Sequence, residues 1–255
     1  MSFLESLFSL EGNAAIVTGA SRGIGRAAAI ALASAGASVV LTGRDESALR
    51  ETQSMIGPNE RTHCISGDVK DPSHAMETIS TTVRTFGQLD ILVNNAGIIR
   101  RSAAVDYSAH DWYDVIDTDL NAVFSWSQAA GKLMIEQGSG KIVNIASLLS
   151  FQGGLNVVAY SAAKGGVAQL TKALANEWAK YGVNVNAIAP GYMETNATAA
   201  LRADTKRKEQ ILSRIPAGRW GEPEDLAGAI VYLSSSASDY VNGHILAVDG
   251  GWLAY

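Results

Sequence analysis

Tyr160 and Lys164 stand four residues apart, in a run whose apolar positions (Ala162, Ala163, Val167, Ala168, Leu170) predict a helix reaching about residue 180. Helical neighbours at that spacing share a face, so a phenol and an ammonium can point into one pocket. A free tyrosine titrates near ~10 and is a poor base at neutral pH. An ammonium ~6 Å away contributes about 2.8 kcal/mol at an effective dielectric of ~20, which predicts a phenol drawn down toward neutrality. Tyr160 would then take a proton from an alcohol or give one to a carbonyl. Ser147 ends the apolar run Lys141-Ile-Val-Asn-Ile-Ala146, read as a buried strand, and its hydroxyl would hold the substrate oxygen. Taken alone, Tyr-x-x-x-Lys reads as an ordinary surface helix, so the surrounding elements must decide.

From residue 14, short apolar runs alternate with longer helical patterns. Strands are expected at 14–18, 38–42, 62–66, 89–93, around Ile142, at 183–189 and at 244–248. Helices are expected near 24–35, 45–55, 72–86, 110–137 and from Tyr160 to about Lys180. The alternation predicts an α/β fold: one Rossmann-type, doubly wound domain with a seven-stranded parallel sheet and helices on both faces. No linker or repeat interrupts residues 1–255. The cofactor half would span about 12–150 and the catalytic and substrate half about 140–255. The least regular stretch, about 191–221, is expected to be a mobile lid.

Composition narrows the function classes. A net charge of −5 argues against nucleic acid as a partner. The single Cys64 forms no internal disulfide, and the apolar N-terminus lacks a basic region and contains Glu5, a poor export signal. No apolar run approaches membrane-spanning length, so a cytoplasmic protein without a membrane partner is expected. His63, His74, His110 and His244 show no ligand spacing, and no metal site is expected.

Between the first strand and its helix lies Thr18-Gly-Ala-Ser-Arg-Gly-Ile-Gly25. Glycines let a backbone turn tightly against a pyrophosphate, and the helix N-terminus attracts its charge. Gly19, Ser21, Arg22, Gly23, Ile24 and Gly25 are therefore candidate dinucleotide-binding residues. The end of the second strand carries Gly43 and Arg44 rather than an acid. With Arg22, Arg44 favours a ribose 2′-phosphate, hence NADP(H) over NAD(H), although Arg44 also fits a solvated helix start. Asp68 and Val69 follow the third strand, where a carboxylate could meet adenine or merely cap a turn. Asn94, Asn95, Ala96 and Gly97 follow the fourth and would line the groove.

With these segments in order, the chain resembles the short-chain dehydrogenase/reductase family over essentially its whole length. Within it the resemblance is closest to the 2-deoxy-D-gluconate (2-keto-3-deoxygluconate) dehydrogenases. The carrying segments are Ala96-Gly-Ile-Ile-Arg-Arg101, Ala146-Ser-Leu-Leu-Ser-Phe-Gln-Gly-Gly154, Asn176-Glu-Trp-Ala-Lys180, Ala189-Pro-Gly-Tyr-Met-Glu-Thr-Asn196, Arg214-Ile-Pro-Ala-Gly-Arg-Trp-Gly221 and Ala237-Ser-Asp-Tyr-Val-Asn-Gly243. The resemblance implies that Tyr160 is the acid/base, that Ser147 orients the carbonyl, and that Lys164 binds the nicotinamide ribose and depresses the tyrosine's pKa. It places Pro190, Gly191, Met193 and Thr195 at the nicotinamide end. It also implies a homotetramer built on the helices near 110–135 and 157–180 and on the C-terminus.

One position departs from the family. Aligned on Val123-Phe124, the usual catalytic asparagine is Asp119. Asn121 cannot replace it, because two helical residues turn a side chain by about 200°. In the family that residue's backbone carbonyl holds a water relaying protons to the lysine; Asp119 keeps a carbonyl but adds negative charge near Lys164. An active enzyme with an altered pH optimum is expected.

The resemblance implies a ketone or secondary alcohol as substrate. Arg100 and Arg101 follow the fourth strand, where Arg101 would clamp a sugar acid's carboxylate or, equally, be solvated or lie at a subunit contact. Gln152, Tyr192 and Trp220 would line the mouth. A keto sugar acid such as 2-deoxy-D-gluconate and its 3-keto form is the expected substrate. Gluconate 5-dehydrogenase, 3-oxoacyl reductase, broad ketone reductase and a catalytically silent NADPH sensor stay open as alternatives.

Overall fold

Five of the seven expected strand segments bury nearly all of both faces, while the two at the sheet's edges are only partly covered. In the computed structural model, which describes residues 2–57 and 60–254, the chain starts with helix α1 (Phe3–Phe8), followed by β1 (Ala14–Thr18), α2 (Gly23–Ser34), β2 (Ser38–Gly43), α3 (Glu46–Ile56) and β3 (Thr62–Ser66). Then come α4 (Pro72–Phe86), β4 (Ile91–Asn94), α5 (Ala109–Ile116), α6 (Ala122–Gln137), β5 (Gly140–Ile145), α7 (Val158–Trp178) and β6 (Val183–Pro190). The short helices α8 (Ala199–Ala203) and α9 (Thr205–Leu212), α10 (Ala227–Ser234) and β7 (Ile245–Val248) complete it. Residues 1, 58, 59 and 255 of the expected single domain lie outside the described residues.

All neighbouring strands pair in parallel, in the order β3-β2-β1-β4-β5-β6-β7. Successive side chains alternate between two cores, as the period of a strand requires. Ala15 and Val17 of β1 and Ile91 and Val93 of β4 pack with Ala28, Leu32, Leu49 and Ile230 of α2, α3 and α10. Ile16 and Leu92 face the other way, against Ile79, Trp126, Met134 and Leu174 of α4, α6 and α7. The sheet is therefore doubly wound, as expected. The direction in which successive strands are added to the sheet reverses between β1 and β4, which opens a crevice at the strands' carboxyl ends, where open α/β sheets take their ligands.

Two local features differ from the sequence expectation. The helix expected over 110–137 is interrupted by one π turn, Asp117–Asn121, between α5 and α6. Single π turns change which residues face inward and gather at functional sites. Stretch 191–221 carries α8 and α9, so it is less irregular than its composition suggests.

Candidate active site

A cleft of about 670 Å3 runs over the β1/β4 switch point. It brings together Gly19, Ser21, Arg22, Gly23, Ile24, Arg44, Asp68, Val69, Asn95, Ala96, Gly97, Asp119, Tyr160, Lys164 and Thr195, all named from sequence. The turn after β1 is built by exclusion. Gly19 has φ +65°, and a methyl group there would sit 2.9 Å from the Ala96 Cα. Gly25 is buried below the cleft, where a methyl would collide with the Gly19 carbonyl and the Asn95 amide. Asn95 holds the turn in place, donating from Nδ2 to the Thr18 and Gly19 carbonyls at 2.9 and 3.1 Å. This cradle, closed by the free N-terminus of α2, fits a dinucleotide's pyrophosphate.

The adenosine end is polar and exposed. Arg44 is exposed and makes no hydrogen bond or ion pair with other described residues. Arg22 lies 3.8 Å from Asp45, whose carboxylate also caps α3 through the Ala48 N–H. The floor beside Asp68 is fixed from beneath. The Trp126 indole donates to the Val69 carbonyl at 3.1 Å, and buried His74 meets the Thr42 hydroxyl at 2.7 Å under Gly67. Asn94 does not line the groove: its amide donates to Ser127 and Asn144 inside the fold, and Asn144 donates to Thr171. That buried chain ties β4 and β5 to α6 and α7, which sets the helix bearing Tyr160 against the sheet.

At the inner end the expected trio converges. Lys164, 3% exposed, donates from Nζ to the Ile145 carbonyl at 2.8 Å and lies 5.5 Å from the Tyr160 ring centroid. Ser147 caps a single turn, Leu148–Ser150, with its oxygen accepting from the Leu149 N–H at 3.2 Å. The Ser150 hydroxyl donates to the Lys164 carbonyl at 2.7 Å and locks that turn onto α7.

The phenol departs from the expected titration. Burial pushes Tyr160 above its ordinary value, although part of its surface opens on the cleft. Lys164 pulls it down, Asp119 pushes it up, and the neighbouring Ser147 hydroxyl and Arg101 pull it down again. The ammonium alone therefore does not bring the phenol to neutrality; desolvation outweighs it.

Asp119 adds to the upward push that burial exerts on the phenol. The π turn aims its fully buried carboxyl at Lys164, with Oδ2 3.6 Å from Nζ, while Oδ1 accepts from the Ile98 N–H at 2.8 Å. Oδ2 has no hydrogen-bond partner, and a methyl on Gly97 would sit 2.7 Å from it, so Gly97 leaves the space it occupies. Burial pushes the carboxyl up to about 6 against the pull of Lys164 and the Ile98 N–H. Asn121 points to solvent and donates to Asp117 at 2.8 Å, as its register requires.

The remaining candidates scatter. Pro190 is buried at the end of β6. Gly191 and Met193 border a smaller cavity of about 200 Å3, and Met193 packs in the core. Arg101 donates to the Ala197 carbonyl at 3.1 Å, bridging the loop after β4 to the 191–221 segment. Arg100 is held by Asp114 and Asp111 at 2.9 and 3.6 Å. Trp220 is buried rather than at the mouth, in a cluster with Leu148, Ile211, Ile215 and Trp252 that Tyr192 joins. Trp252 and Arg214 belong to this wall, with Arg214 stacked on the Trp252 ring, and neither is among the site residues expected from the sequence. No spacing rule links a residue after β7 to one after α9.

The chain is similar to known proteins over nearly its whole length. The family profile described as enoyl-(acyl carrier protein) reductase matches residues 19–253. The chain is 52% identical over 251 residues to 2-dehydro-3-deoxy-D-gluconate 5-dehydrogenase of Escherichia coli K12, covering 98% of each. It is 45% identical to gluconate 5-dehydrogenase of Gluconobacter oxydans, covering 96% of each. A solved structure from Agrobacterium tumefaciens, carrying the name 2-deoxy-D-gluconate 3-dehydrogenase and bound NADP, superposes with a TM-score of 0.89 at 55% identity. That match covers 97% of this chain and 99% of the other.

Proposed function

Because the chain belongs to the short-chain dehydrogenase/reductase family, an oxidoreductase group acting on CH–OH with a nicotinamide cofactor, we propose that it interconverts a keto sugar acid and its secondary alcohol. The observation that carries this reading is the meeting of Tyr160, Lys164 and Asp119 in the same cleft as the glycine turn. When bound, the nicotinamide supplies or accepts the hydride. Ser147 holds the substrate oxygen, and Tyr160 gives it a proton on reduction or takes one on oxidation. Lys164 holds the cofactor's ribose and favours the phenolate, and Asp119 holds Lys164 from behind.

The substrate class rests on the relatives' names, which point to six-carbon sugar acids changed at a carbon distant from the carboxylate. We place the reacting carbon at C5. NADP(H) is preferred: Gly43 offers no acid to the ribose, and Arg44 is free to meet a 2′-phosphate. Stretch 191–221 closes over the substrate, with the Arg101–Ala197 contact joining its rim to the cleft. Exposed Tyr113, Phe124 and Val158 on α5, α6 and α7, with the half-covered edge strand β7, support a homotetramer. A cytoplasmic setting accords with one free cysteine; no described helix is long and apolar enough to cross a membrane. Following NADPH oxidation with keto sugar acids and neutral ketones tests the reading. Preference for the acids supports it, and equal rates with acids and neutral ketones overturn the substrate class.

A further inference from the structure

The aromatic wall beyond Ser147 carries donors that the reaction as described leaves unused. Arg214, just past α9, lays its guanidinium over the buried Trp252 indole, with Cζ 4.1 Å from the ring centroid. Stacking of that kind leaves the in-plane N–H fork available. Arg214 is exposed, and its guanidinium makes no hydrogen bond or ion pair with other described residues. The same indole donates from Nε1 to Gln152 Oε1 at 3.2 Å. An indole nitrogen is a donor only, so this contact fixes the amide's orientation: oxygen toward Trp252, NH2 away from it. Among the described residues nothing accepts from that NH2. One buried ring thus presents a cationic fork and a neutral double donor together.

The pair is coupled to the catalytic hydroxyl. The Gln152 N–H donates to the Leu148 carbonyl at 3.2 Å, closing the turn that Ser147 caps, and Leu148 packs in the cluster that holds Trp252. We propose that Arg214 and Gln152, positioned by Trp252, form the subsite that receives the substrate's carboxylate. This rests on the sugar-acid reading above. A guanidinium fork takes a carboxylate through two parallel hydrogen bonds, and a side amide can add a third.

The alternatives are less well placed. Arg100 is already neutralised by two aspartates. Arg101 lies close enough to Tyr160 to influence its titration and has one N–H engaged with Ala197. A cation beside the phenol suits the hydroxyls flanking the reacting carbon. A substrate changed at C5 carries its carboxylate four bonds further along, which calls for an anchor away from the phenol.

The test uses two substrates that differ at one end. 5-Keto-D-gluconate and L-sorbose share the ketone and its neighbouring hydroxyls, with carboxylate in one where the other has CH2OH. NADPH-linked reduction of both is measured for the wild type, Arg214→Gln, Trp252→Phe and Arg101→Gln, with NADPH binding followed by fluorescence. Arg214→Gln should raise KM for the acid by about 10- to 100-fold, the loss of a charged hydrogen-bonded contact, with kcat within about threefold. Its constants for L-sorbose and its NADPH affinity should stay within about twofold. Trp252→Phe, which keeps the packing but frees the amide, should show a smaller loss confined to the acid. If Arg214→Gln leaves the acid's KM unchanged while Arg101→Gln raises it, the subsite is overturned and the sugar-acid reading stands. If the wild type handles acid and L-sorbose alike, or reduces neither, both readings fall.

Discussion

The two ends of the cleft hold their ligands by different means. At the nucleotide end the backbone shapes the site: Gly19 and Gly25 supply the space that side chains would fill, and Asn95 stitches the turn to β1. At the inner end buried charge shapes it: Lys164 and Asp119 face each other at 3.6 Å among apolar neighbours. A site made by sterics is indifferent to pH and intolerant of a single methyl group. One made of buried charges tolerates small changes of shape, but its behaviour moves with every proton.

The sharpest way to separate the two is Lys164→Met. Removing one partner of a buried pair should cost about 3–5 kcal/mol at pH 7.5, alongside loss of turnover. At pH 5, where Asp119 is largely protonated, the loss should be clearly smaller. The double variant Lys164→Met/Asp119→Asn should recover much of the difference at pH 7.5. Equal destabilisation at both pH values, read by urea unfolding, would show that charge is not what the pair contributes.

Gly25→Ala probes the other end. A methyl there meets the Gly19 carbonyl, backbone that cannot swing aside, so about 1–3 kcal/mol of overpacking strain and weakened NADPH binding are expected. That loss should not change between pH 5 and 7.5, in contrast to Lys164→Met. Arg44→Ala follows in size. It should raise KM for NADPH about tenfold and leave NADH within about twofold; parallel changes for both cofactors would remove Arg44 from the 2′-phosphate.

Asp119→Asn should have the smallest effect on rate and the clearest effect on pH dependence. The folded protein holds the Asp119 proton up to about 6, against 3.8 for an ordinary aspartate. The folded state therefore binds that proton more tightly than the unfolded chain, and the resulting stability is full below about 4 and lost as pH rises through about 6. The asparagine variant should lack that slope. Removing the charge also removes one push on the Tyr160 phenol, so the alcohol-oxidation profile should move toward acid. An unchanged profile and slope would make Asp119 a bystander.

What the sequence revealed follows the same division. The central strands were readable to within a residue or two because burial of both faces leaves short apolar runs, as in Ala14–Thr18 and Ile91–Asn94. The glycine turn was readable because sterics act locally, between a strand and the helix that follows it. Helix α1 was missed despite its Ser2/Glu5 capping box, and α8 to α10 were missed because they are too short to show a period. The π turn at Asp117–Asn121 leaves no spacing signature, so Asp119 was placed by its neighbours' letters alone. The direction of the Tyr160 shift was misjudged because burial is a property of the fold, and four residues of helix reveal only the attracting charge. Trp252 and Arg214 meet across 38 residues of chain, a contact that tertiary packing alone creates.

Proton transfer through Tyr160 is most directly tested by Tyr160→Phe, with NADPH binding and NADPH-linked reduction of 5-keto-D-gluconate measured on the same preparation. The phenylalanine keeps the ring against Lys164 and removes one oxygen. Turnover should fall by about 10²- to 10⁴-fold while NADPH binds as before. Turnover within a few-fold of the wild type would contradict the assignment.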